Sequence, residues 1–377
     1  MNILFSTEST FTSHFPSAEE YLFLNPDGVR TQFPIGWEGQ GRYVKGSLRL
    51  YDANNVLIDR STYHEMDNRI FFEFNTPPAA GSYTDIIVRY LVDPEDYAFS
   101  HGTADSAYPG EEYFLFPNWN NAKGCGDAFW VGKYAASNDG NNVPVSMKGK
   151  SSWVKTEFSV LMESCSNKGS EFHCIRNREW VSIALWTEIM NLSIYGNVNG
   201  KNTPNDMDMR DIGTAITDDI VDTTDTNKKI LTGTGPDTFR HNGSLNGISD
   251  LIGNVWELVD GIKLIDGVPY VFNDDNTDYV ALSVDDIDPF TNLFSSNKIL
   301  YINNSTNDLL NEGLPVLTGG MPIREDDYLF KYNTGTRICC RGGDCHNGVN
   351  AGIWTINLNG ASAFKSWGCG TRISKDL

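Results

Sequence analysis

The chain lacks an excess of positive charge: 29 lysines and arginines stand against 49 aspartates and glutamates, which gives a formal net charge of −20 over 377 residues. A surface of that sign repels nucleic acid and anionic lipid, so neither is expected as a partner. Long apolar runs are missing too, because the segment Asp85–Val92 is interrupted by charge. The first residues carry no basic flank and only a short apolar patch, so we expect neither a signal peptide nor membrane insertion.

Regular cysteine spacing is also missing. The seven cysteines are odd in number and predict no disulfide framework. The segment Cys339–His346 contains four potential zinc ligands, Cys339, Cys340, Cys345 and His346, but their spacing matches no standard zinc motif. Buried free thiols are the simpler interpretation.

The composition is that of a folded protein with many turns. Hydrophobic residues make up 40% of the chain and aromatic residues 12%, which excludes a disordered chain. The 35 glycines and 15 prolines favour β-rich structure over a helical bundle. The length suits two domains.

The first 95 residues predict a small antiparallel β-sandwich of immunoglobulin-like style, since short alternating runs are separated by turn clusters. The runs are Tyr43–Tyr51, Val56–Asp59, Arg69–Phe74 and Tyr83–Val92. No catalytic constellation lies in this segment, so we interpret residues 1–95 as an assembly or spacer domain and residues 96–114 as a linker.

A second domain is expected over residues 115–377. Phe129–Tyr134 predicts a strand, and Glu171–Met190 predicts a helix with Arg176–Glu179 facing water. The apolar residues expected to share its buried face are Phe172, Ile175, Trp180, Ile183, Ala184 and Ile189. The acidic segment 262–335 contains no motif that we can interpret.

A short acidic turn at Ser249–Asp260 has two interpretations. Asp250 and Glu257 flank a tight turn at Gly253, and hard oxygen ligands from such a turn suit calcium. In the second interpretation Asp250 caps a turn, and Glu257 pairs with an arginine such as Arg341 or Arg372. Spacing alone leaves both open.

The last part of the chain, Arg341–Ile373, has no amphipathic period. Glycines and arginines alternate there with unrelated side chains that include two tryptophans, a phenylalanine and several amides. Glycines permit tight turns, while large aromatics are good contact residues. We interpret the segment as a loop-rich recognition surface on a rigid frame.

Five stretches, in this order, resemble one family: Phe129–Tyr134, Arg178–Trp180, Asp250–Glu257, Arg341–Gly343 and Gly370–Ile373. Together they resemble the C-type lectin fold in its formylglycine-generating-enzyme (sulfatase-modifying) branch. The C-terminal block, with Gly348–Gly352, Leu358, Ser362 and Gly370–Arg372, is similar to the variable proteins of diversity-generating retroelements, which include phage receptor-binding proteins. The resemblance covers residues 115–377 and implies an α+β chain with a C-terminal C-type lectin fold.

In such proteins a template is copied with errors at adenines, and exposed side chains vary over a fixed backbone. The resemblance implies a variable region over residues 341–373. Its frame would be Arg341, Gly342, Gly343, Gly348, Asn350, Ala351, Gly352, Leu358, Ser362, Gly370 and Arg372. The displayed, ligand-binding set would be Asp344, His346, Asn347, Val349, Ile353, Trp354, Thr355, Asn357, Asn359, Gly360, Phe364, Lys365, Ser366 and Trp367. Cys345 and Thr371 depart from the family pattern, which usually has an aromatic residue and Phe there.

The resemblance also raises an enzymatic alternative. Formylglycine-generating enzymes need two closely spaced cysteines just after Arg-Gly-Gly, whereas here only Cys345 lies in that window and the next cysteine is Cys369. His346 follows Cys345, but sequence neighbours in extended loops rarely point at each other. We therefore expect no catalysis. In that branch the acidic turn helps to bind structural calcium, so the implied ligands are Asp250, Glu257 and the carbonyls of Gly253 and Val255.

The function implied is ligand binding by a variable protein at a phage tail tip, part of the virion, that attaches to a host surface protein or glycan. Trp354, Phe364 and Trp367 are the candidate anchors, with hydrogen bonds from neighbouring polar side chains. Other tail proteins are expected partners, and a homo-oligomer, preferably a trimer, would add avidity. The alternatives are a cellular or extracellular surface adhesin of the same fold, a glycan-specific lectin with calcium at the sugar, and a sulfatase-modifying-type enzyme homologue.

Overall fold

The computed structural model describes residues 17–22, 28–35, 39–80, 85–102, 108, 110–198, 213–214, 216 and 229–377. The chain divides into two compact units, Met1–Trp119 and Asn120–Leu377. Both units are rich in strands and contain few helices, as the abundant turn residues predicted. Over these residues, no helix combines the length and the apolar character that a bilayer span requires.

The first unit is built from short antiparallel strands. They are β1 (Ser17–Leu22), β2 (Gln32–Pro34), β3 (Arg49–Asp52), β4 (Tyr63–Glu65), β5 (Phe71–Phe74), β6 (Ile86–Leu91) and β7 (Tyr113–Pro117), with one helix, α1 (Pro94–Ser100). One sheet has the order β1-β6-β3 and another has the order β2-β5-β4. Leu50 and Val88 from the first sheet share a core with Phe72 and Phe74 from the second.

The predicted runs of the first unit are only partly strands. Three of them contain β3, β5 and β6, whereas Val56–Asp59 contributes only an isolated bridge from Leu57. The predicted linker, residues 96–114, starts inside α1, and its residues 103–107 and 109 lie outside the described residues, as do residues 81–84 of the last run. The immunoglobulin-like topology and the predicted domain limits stay predictions.

The second unit contains the remaining elements. Its strands are β8 (Ala128–Gly132), β9 (Ser137–Asn138), β10 (Pro144–Val145), β11 (Phe172–Cys174), β12 (Trp256–Ile265), β13 (Val268–Phe272), β14 (Tyr279–Ala281), β15 (Ser296–Ile302), β16 (Pro315–Val316), β17 (Met321–Lys331), β18 (Thr336–Gly342), β19 (Gly352–Leu358), β20 (Cys369–Thr371) and β21 (Ile373–Asp376). Its helices are α2 (Phe158–Ser166), α3 (Asn177–Ile189), α4 (Val284–Thr291) and α5 (Asn307–Glu312).

One large sheet organises the second unit, with the order β14-β13-β12-β18-β19-β17-β15-β16 and with β20 paired to β12. Strand β19 lies between β18, to which it is antiparallel, and β17, to which it is parallel. In a smaller sheet, β21 lies between β11 and β8. The segment 262–335, in which we found no motif, supplies most of the large sheet. It therefore forms the support for the C-terminal strands.

Helix α3 differs from its prediction at both ends. It begins at Asn177, because Phe172–Cys174 forms β11 and pairs with β21. Ile189, expected in the buried face, is 64% exposed. The central part of the prediction is confirmed, since Trp180, Ile183 and Ala184 are buried.

The expectation that the polar start of α3 faces water is wrong. Glu179 is fully buried and accepts hydrogen bonds from His173 Nε2 at 2.8 Å and from the Arg176 amide at 2.9 Å. Arg178 is 9% exposed, and its Nε donates to Glu312 at 2.8 Å. Glu312 is the last residue of α5, which comes from the segment without an interpretable motif. The sequence therefore contains no indication that α5 would bury the polar start of α3.

Candidate functional site

The C-terminal segment is rich in loops, as predicted, because two loops make up more than half of it, but it also contains the strand β19. We define the first loop as residues 343–351, between β18 and β19, and the second loop as residues 359–368, between β19 and β20. Strand β19 is central in its sheet and is buried on both faces, except at Asn357. A strand buried on both faces has no alternating pattern, which explains why the sequence of β19 resembles a loop.

Arg372 holds this segment to the rest of the second unit. Its side chain is fully buried and forms a two-bonded ion pair with Glu257 of β12, with N–O distances of 2.8 and 2.5 Å. It also donates to the carbonyls of Gly132, at 2.8 Å, and Ser249, at 2.7 Å. Burial raises the pKa of Glu257, while the charge of Arg372 acts in the opposite direction. One guanidinium thus joins three separate parts of the chain.

Arg341 has a similar role in the interior, although its partners are neutral groups. Its Nη2 donates to the Asn177 side chain at 2.7 Å, and its Nη1 donates to the Trp354 carbonyl at 3.3 Å. Burial lowers the pKa of this guanidinium. The next residue, Gly342, has φ of +87°, and a Cβ there would lie 2.4 Å from the Leu251 carbonyl oxygen. Only glycine fits this position without displacing backbone.

The acidic turn does not fit a calcium ion at Asp250, Gly253, Val255 and Glu257. Both carboxylate oxygens of Glu257 are bound to Arg372, and Asp250 Oδ2 accepts a hydrogen bond from the Gly233 amide at 2.7 Å. Calcium takes six to eight oxygen ligands, and Arg372 already neutralises the charge of Glu257. The Glu257 part of the second interpretation is confirmed, since Glu257 pairs with Arg372. Asp250 accepts from Gly233, which lies outside the turn. Calcium elsewhere in the chain stays a prediction.

The zinc interpretation gains nothing from the geometry. Across the described ranges, the group of metal-ligating side chains that lie within 4.8 Å of each other is His173, Glu179 and Asp376, and not the segment from Cys339 to His346. Arg176 already pairs with both carboxylates of this group, because it donates to Asp376 at 2.6 Å and to Glu179 at 3.4 Å. All seven cysteines are buried, as predicted.

Ten of the fourteen residues predicted as displayed reach the surface wholly or in part. Four are exposed: Val349, Asn359, Phe364 and Lys365. Six are half-buried: His346, Asn347, Asn357, Gly360, Ser366 and Trp367. All of them except Asn357 lie in the two loops. The loops, and not the strand between them, therefore present side chains to a partner.

The other four, Asp344, Ile353, Trp354 and Thr355, are buried, which corrects the prediction for them. Trp354 is 1% exposed, its indole donates to Glu188 of α3 at 3.0 Å, and its amide donates to Asp327 at 2.5 Å. A tryptophan in a central strand beneath a helix is a core residue. Trp354 is therefore excluded as a contact anchor, whereas Phe364 is 51% exposed and Trp367 is half-buried.

The first loop is closed by its own polar groups and touches the second loop. Asp344 accepts from the His346 amide at 2.9 Å, and the Asp344 amide donates to the Asn347 side chain at 2.7 Å. The His346 ring packs edge-to-face on Trp367, with 4.5 Å between centroids. Lys229 donates to the Trp367 carbonyl at 2.8 Å. The exposed parts of the two loops thus form one continuous surface.

The thiols near this surface are poorly suited to nucleophilic chemistry. We expected Cys345 and His346 to point apart, and this is wrong, since Sγ and Nδ1 are 3.5 Å apart. Cys345 is nevertheless fully buried, so a substrate has no access to it. Burial raises the pKa of Cys339 to about 12 and that of Cys340 well above its ordinary value. Thiols in that state are not thiolates at neutral pH.

The second loop is attached to the start of α2 through its main chain. The Phe364, Ser362 and Ser366 carbonyls accept from the amides of Phe158, Ser159 and Lys155 at 3.3, 3.1 and 2.7 Å. Phe158 and Ser159 lie in the first turn of α2, where amides have no partners inside the helix, and the loop supplies acceptors for both. Lys155 lies just before the helix. The Phe364 and Phe158 rings also meet edge-to-face at 5.6 Å.

A cavity of about 310 Å³ lies beneath the second loop. Its walls come from α2, from the large sheet and from the loop itself. The lining residues are Phe158, Trp256, Cys340, Asn357, Asn359, Gly360, Phe364, Ser366 and Cys369. Asn357, Asn359, Gly360, Phe364 and Ser366 belong to the predicted displayed set, so the structure brings these five together.

Aromatic residues outside the C-terminal segment extend this face, and the sequence analysis missed them. Tyr328, Phe330 and Tyr332 follow one face of β17 and its end, with Phe330 6.0 Å from Trp256 and 5.0 Å from Tyr328. Tyr332 is 55% exposed. Phe330 pairs in register with Asn357, next to the cavity. Aromatic residues at every second position from 328 to 332 were the signal that could have revealed them.

Comparisons with known proteins add only faint similarity. No protein-family model and no curated protein matches the chain. A solved structure titled "Major Tropism Determinant I1 Variant" superposes with a TM-score of 0.31 at 12% identity, over 88% of this chain and 73% of that chain. A similarity of this size carries no conclusion about fold or function.

Replacing Arg372 tests the buried ion pair. Arg372→Met leaves the Glu257 carboxylate buried without its partner, so we expect a loss of about 3–5 kcal/mol in the free energy of unfolding, measured with urea. The double variant Arg372→Met/Glu257→Leu should recover much of this loss. Arg337→Met, at a half-exposed side chain, is the control and should change stability by less than about 1 kcal/mol. A loss that small for Arg372→Met would contradict the role proposed for the pair.

Asp344 should make stability depend on pH. Burial raises the pKa of this carboxyl from 3.8 to about 6. Between these values the unfolded chain has released a proton that the folded chain still holds, so stability falls as pH rises through this window. Asp344→Asn should remove that fall and be more stable at pH 7 by on the order of 2 kcal/mol. Urea unfolding of both proteins at several pH values between 3.5 and 7 measures the difference, and parallel pH profiles would contradict it.

Proposed function

We propose that this chain is a non-catalytic ligand-binding protein, a variable protein of the retroelement type with a C-type lectin fold, carried at a phage tail tip to attach to a host surface molecule. The observation that carries the proposal is the separation of roles in the C-terminal segment. Arg341 and Arg372 are fully buried in hydrogen-bonded positions, while the loops between them expose dissimilar side chains. Such a segment tolerates changes at its surface without losing its support.

The contact surface that we propose consists of the two loops and the adjoining end of β17. Phe364 and Tyr332 are its most exposed aromatic side chains among those described above, at 51% and 55%. The Trp367 ring packs against the His346 ring, so its side chain loses less conformational entropy when it binds a partner. Binding energy in protein interfaces concentrates in a few aromatic and arginine residues, and Arg337, whose guanidinium lies 4.6 Å from the Tyr332 ring centroid, adds one.

A binding role agrees with the chemistry of the segment better than an enzymatic one does. Cys345 is buried, Cys339 and Cys340 are protonated, and the second cysteine of the enzyme motif is missing after Gly343. The first unit has the small antiparallel sheets of a spacer or assembly module. We propose that it connects the second unit to other tail proteins, in a homo-oligomer, with a trimer favoured, whose repeated faces give avidity.

Substitutions in the loops should separate binding from folding. Phe364→Ala and Trp367→Ala should each lower the affinity for host cells about tenfold or more, because truncating an aromatic hot-spot residue costs about 2 kcal/mol or more. The melting temperature of Phe364→Ala should stay unchanged, since this ring is half-exposed. Flow cytometry with fluorescent protein and a panel of candidate host cells measures the affinity.

Ile189→Ala is the matched control, because Ile189 is an exposed apolar residue on α3, outside the proposed surface. Its binding should equal that of the unaltered protein. If cells bind both loop variants and the control equally well, the loops are not the contact surface.

The gene should carry a record of the diversification. A nearby repeat of codons 341–373 should differ from them only at positions where the repeat has adenine. The differences should fall on codons of loop residues such as Asn359, Phe364 and Lys365, and spare those of the buried residues Arg341 and Arg372, because changes there would break the frame. Sequencing the flanking DNA provides the comparison. Differences spread evenly over buried and exposed codons would contradict the proposal.

A further inference from the structure

The cavity beneath the second loop is lined mainly by rings and sulfur. Phe158 of α2, Trp256 of β12 and Phe364 of the second loop contribute aromatic surface. Cys340 and Cys369 contribute two thiols whose sulfur atoms are 3.2 Å apart. Its volume of about 310 Å³ is at the lower limit of ligand pockets, roughly 300 Å³. The cavity is large enough for one bulky side chain and too small for an extended molecule.

Two polar atoms of the lining are already engaged in shaping the loop. The Asn357 side-chain oxygen accepts from the Asn359 amide at 2.9 Å, and the Ser366 hydroxyl accepts from the Gly368 amide at 3.1 Å. A sugar ring that entered would give up hydrogen bonds with water, and only the side chains of Asn357, Asn359 and Ser366 line the cavity with polar groups that could replace them. Each buried hydroxyl left without a partner opposes binding. An apolar ring pays no such cost and gains contacts with aromatic rings and sulfur.

The charge of the lining also favours an apolar occupant. The two thiols are its only titratable groups, and burial keeps Cys340 protonated, although the whole chain carries a net charge of −20. Next to the cavity, Lys365 and Glu157 neutralise each other at 3.2 Å. A charged occupant would lose its hydration without gaining an opposite charge. The lining is thus complementary to an uncharged group.

We propose that this cavity is an anchor pocket that takes one uncharged aromatic or bulky aliphatic side chain from a loop of a protein partner. The inference rests on the proposed function and narrows it, because it makes the host molecule a protein and not a glycan. Phe158 and Trp256 lie outside the C-terminal segment, so the depth of the pocket is fixed by residues that diversification does not reach. Asn357, Asn359 and Phe364 border it and would adjust which apolar side chain enters.

A titration with small probes tests the pocket on the isolated full-length chain. Indole represents an uncharged aromatic side chain, and methyl β-D-glucopyranoside represents a neutral sugar. In ligand-observed NMR, indole should show saturable binding and the glucoside should show none. Asn357→Phe, which fills the pocket from β19, should weaken indole binding at least tenfold. Asn333→Phe makes the same change at an exposed position outside the lining and should leave indole binding unchanged.

Gly360→Leu is a second filling variant, because a side chain at Gly360 would point at the Phe158 ring, with Cβ 2.7 Å from it. If neither filling variant folds, intermolecular NOEs from indole to the Trp256 ring give a readout that needs no substitution. The pocket is overturned if indole does not saturate, if a folded filling variant binds it as well as the unaltered chain, or if those NOEs are absent. Saturable glucoside binding that competes with indole would replace the protein partner with a glycan.

The outcome of the indole titration does not depend on whether the chain binds host cells. The titration needs no host cell, so a failure there removes the anchor pocket and leaves the contact surface of the loops standing. Conversely, loop variants that bind host cells normally would remove the contact surface even if indole binds in the pocket.

Discussion

The second unit depends on the ion pair between Arg372 and Glu257. Both side chains are sealed from solvent, and the guanidinium makes four hydrogen bonds to three separate segments. A charge buried in this way is tolerated only if its partners stay in place. Strand β12, the end of β8 and the turn before Asp250 are therefore fixed relative to the last strands of the chain. The two loops precede those strands, so the ends of the loops are held in fixed positions.

The pair also explains why two interpretations of the acidic turn were hard to separate. A carboxylate beside a tight turn has the same sequence pattern whether it binds a cation from solution or a guanidinium of the chain. The deciding partner, Arg372, is 115 residues away from Glu257. The spacing of residues around the turn contains no information about which cation the carboxylate binds. The register of β12 with β20 places Gly370 opposite Glu257. This register brings Arg372 within hydrogen-bonding distance of the Glu257 carboxylate.

Sequence reasoning succeeded where local pattern and burial agree, and failed where distant segments supply the environment. Trp180 and Ile183 followed the apolar period of their helix, and the Arg-Gly-Gly frame behaved as a frame. Trp354 was misassigned for two reasons. Its side chain is buried against α3, and the neighbouring strand, β17, comes from a segment without an interpretable motif. The lectin-type fold and the immunoglobulin-like style of the first unit were inferred from resemblance and pattern, and the β-rich architecture agrees with them only in general terms.

The second loop is fastened by three of its own carbonyl groups to the first turn of α2 and to Lys155 just before it. Carbonyl oxygens are the same in every amino acid, so these fastenings are indifferent to which side chains the loop carries. A mutation that exchanges Phe364 or Ser366 for another residue rewrites the chemistry of the surface while the path of the chain stays as it was. Main-chain anchoring of this kind lets a protein try new ligands without having to solve its folding problem again.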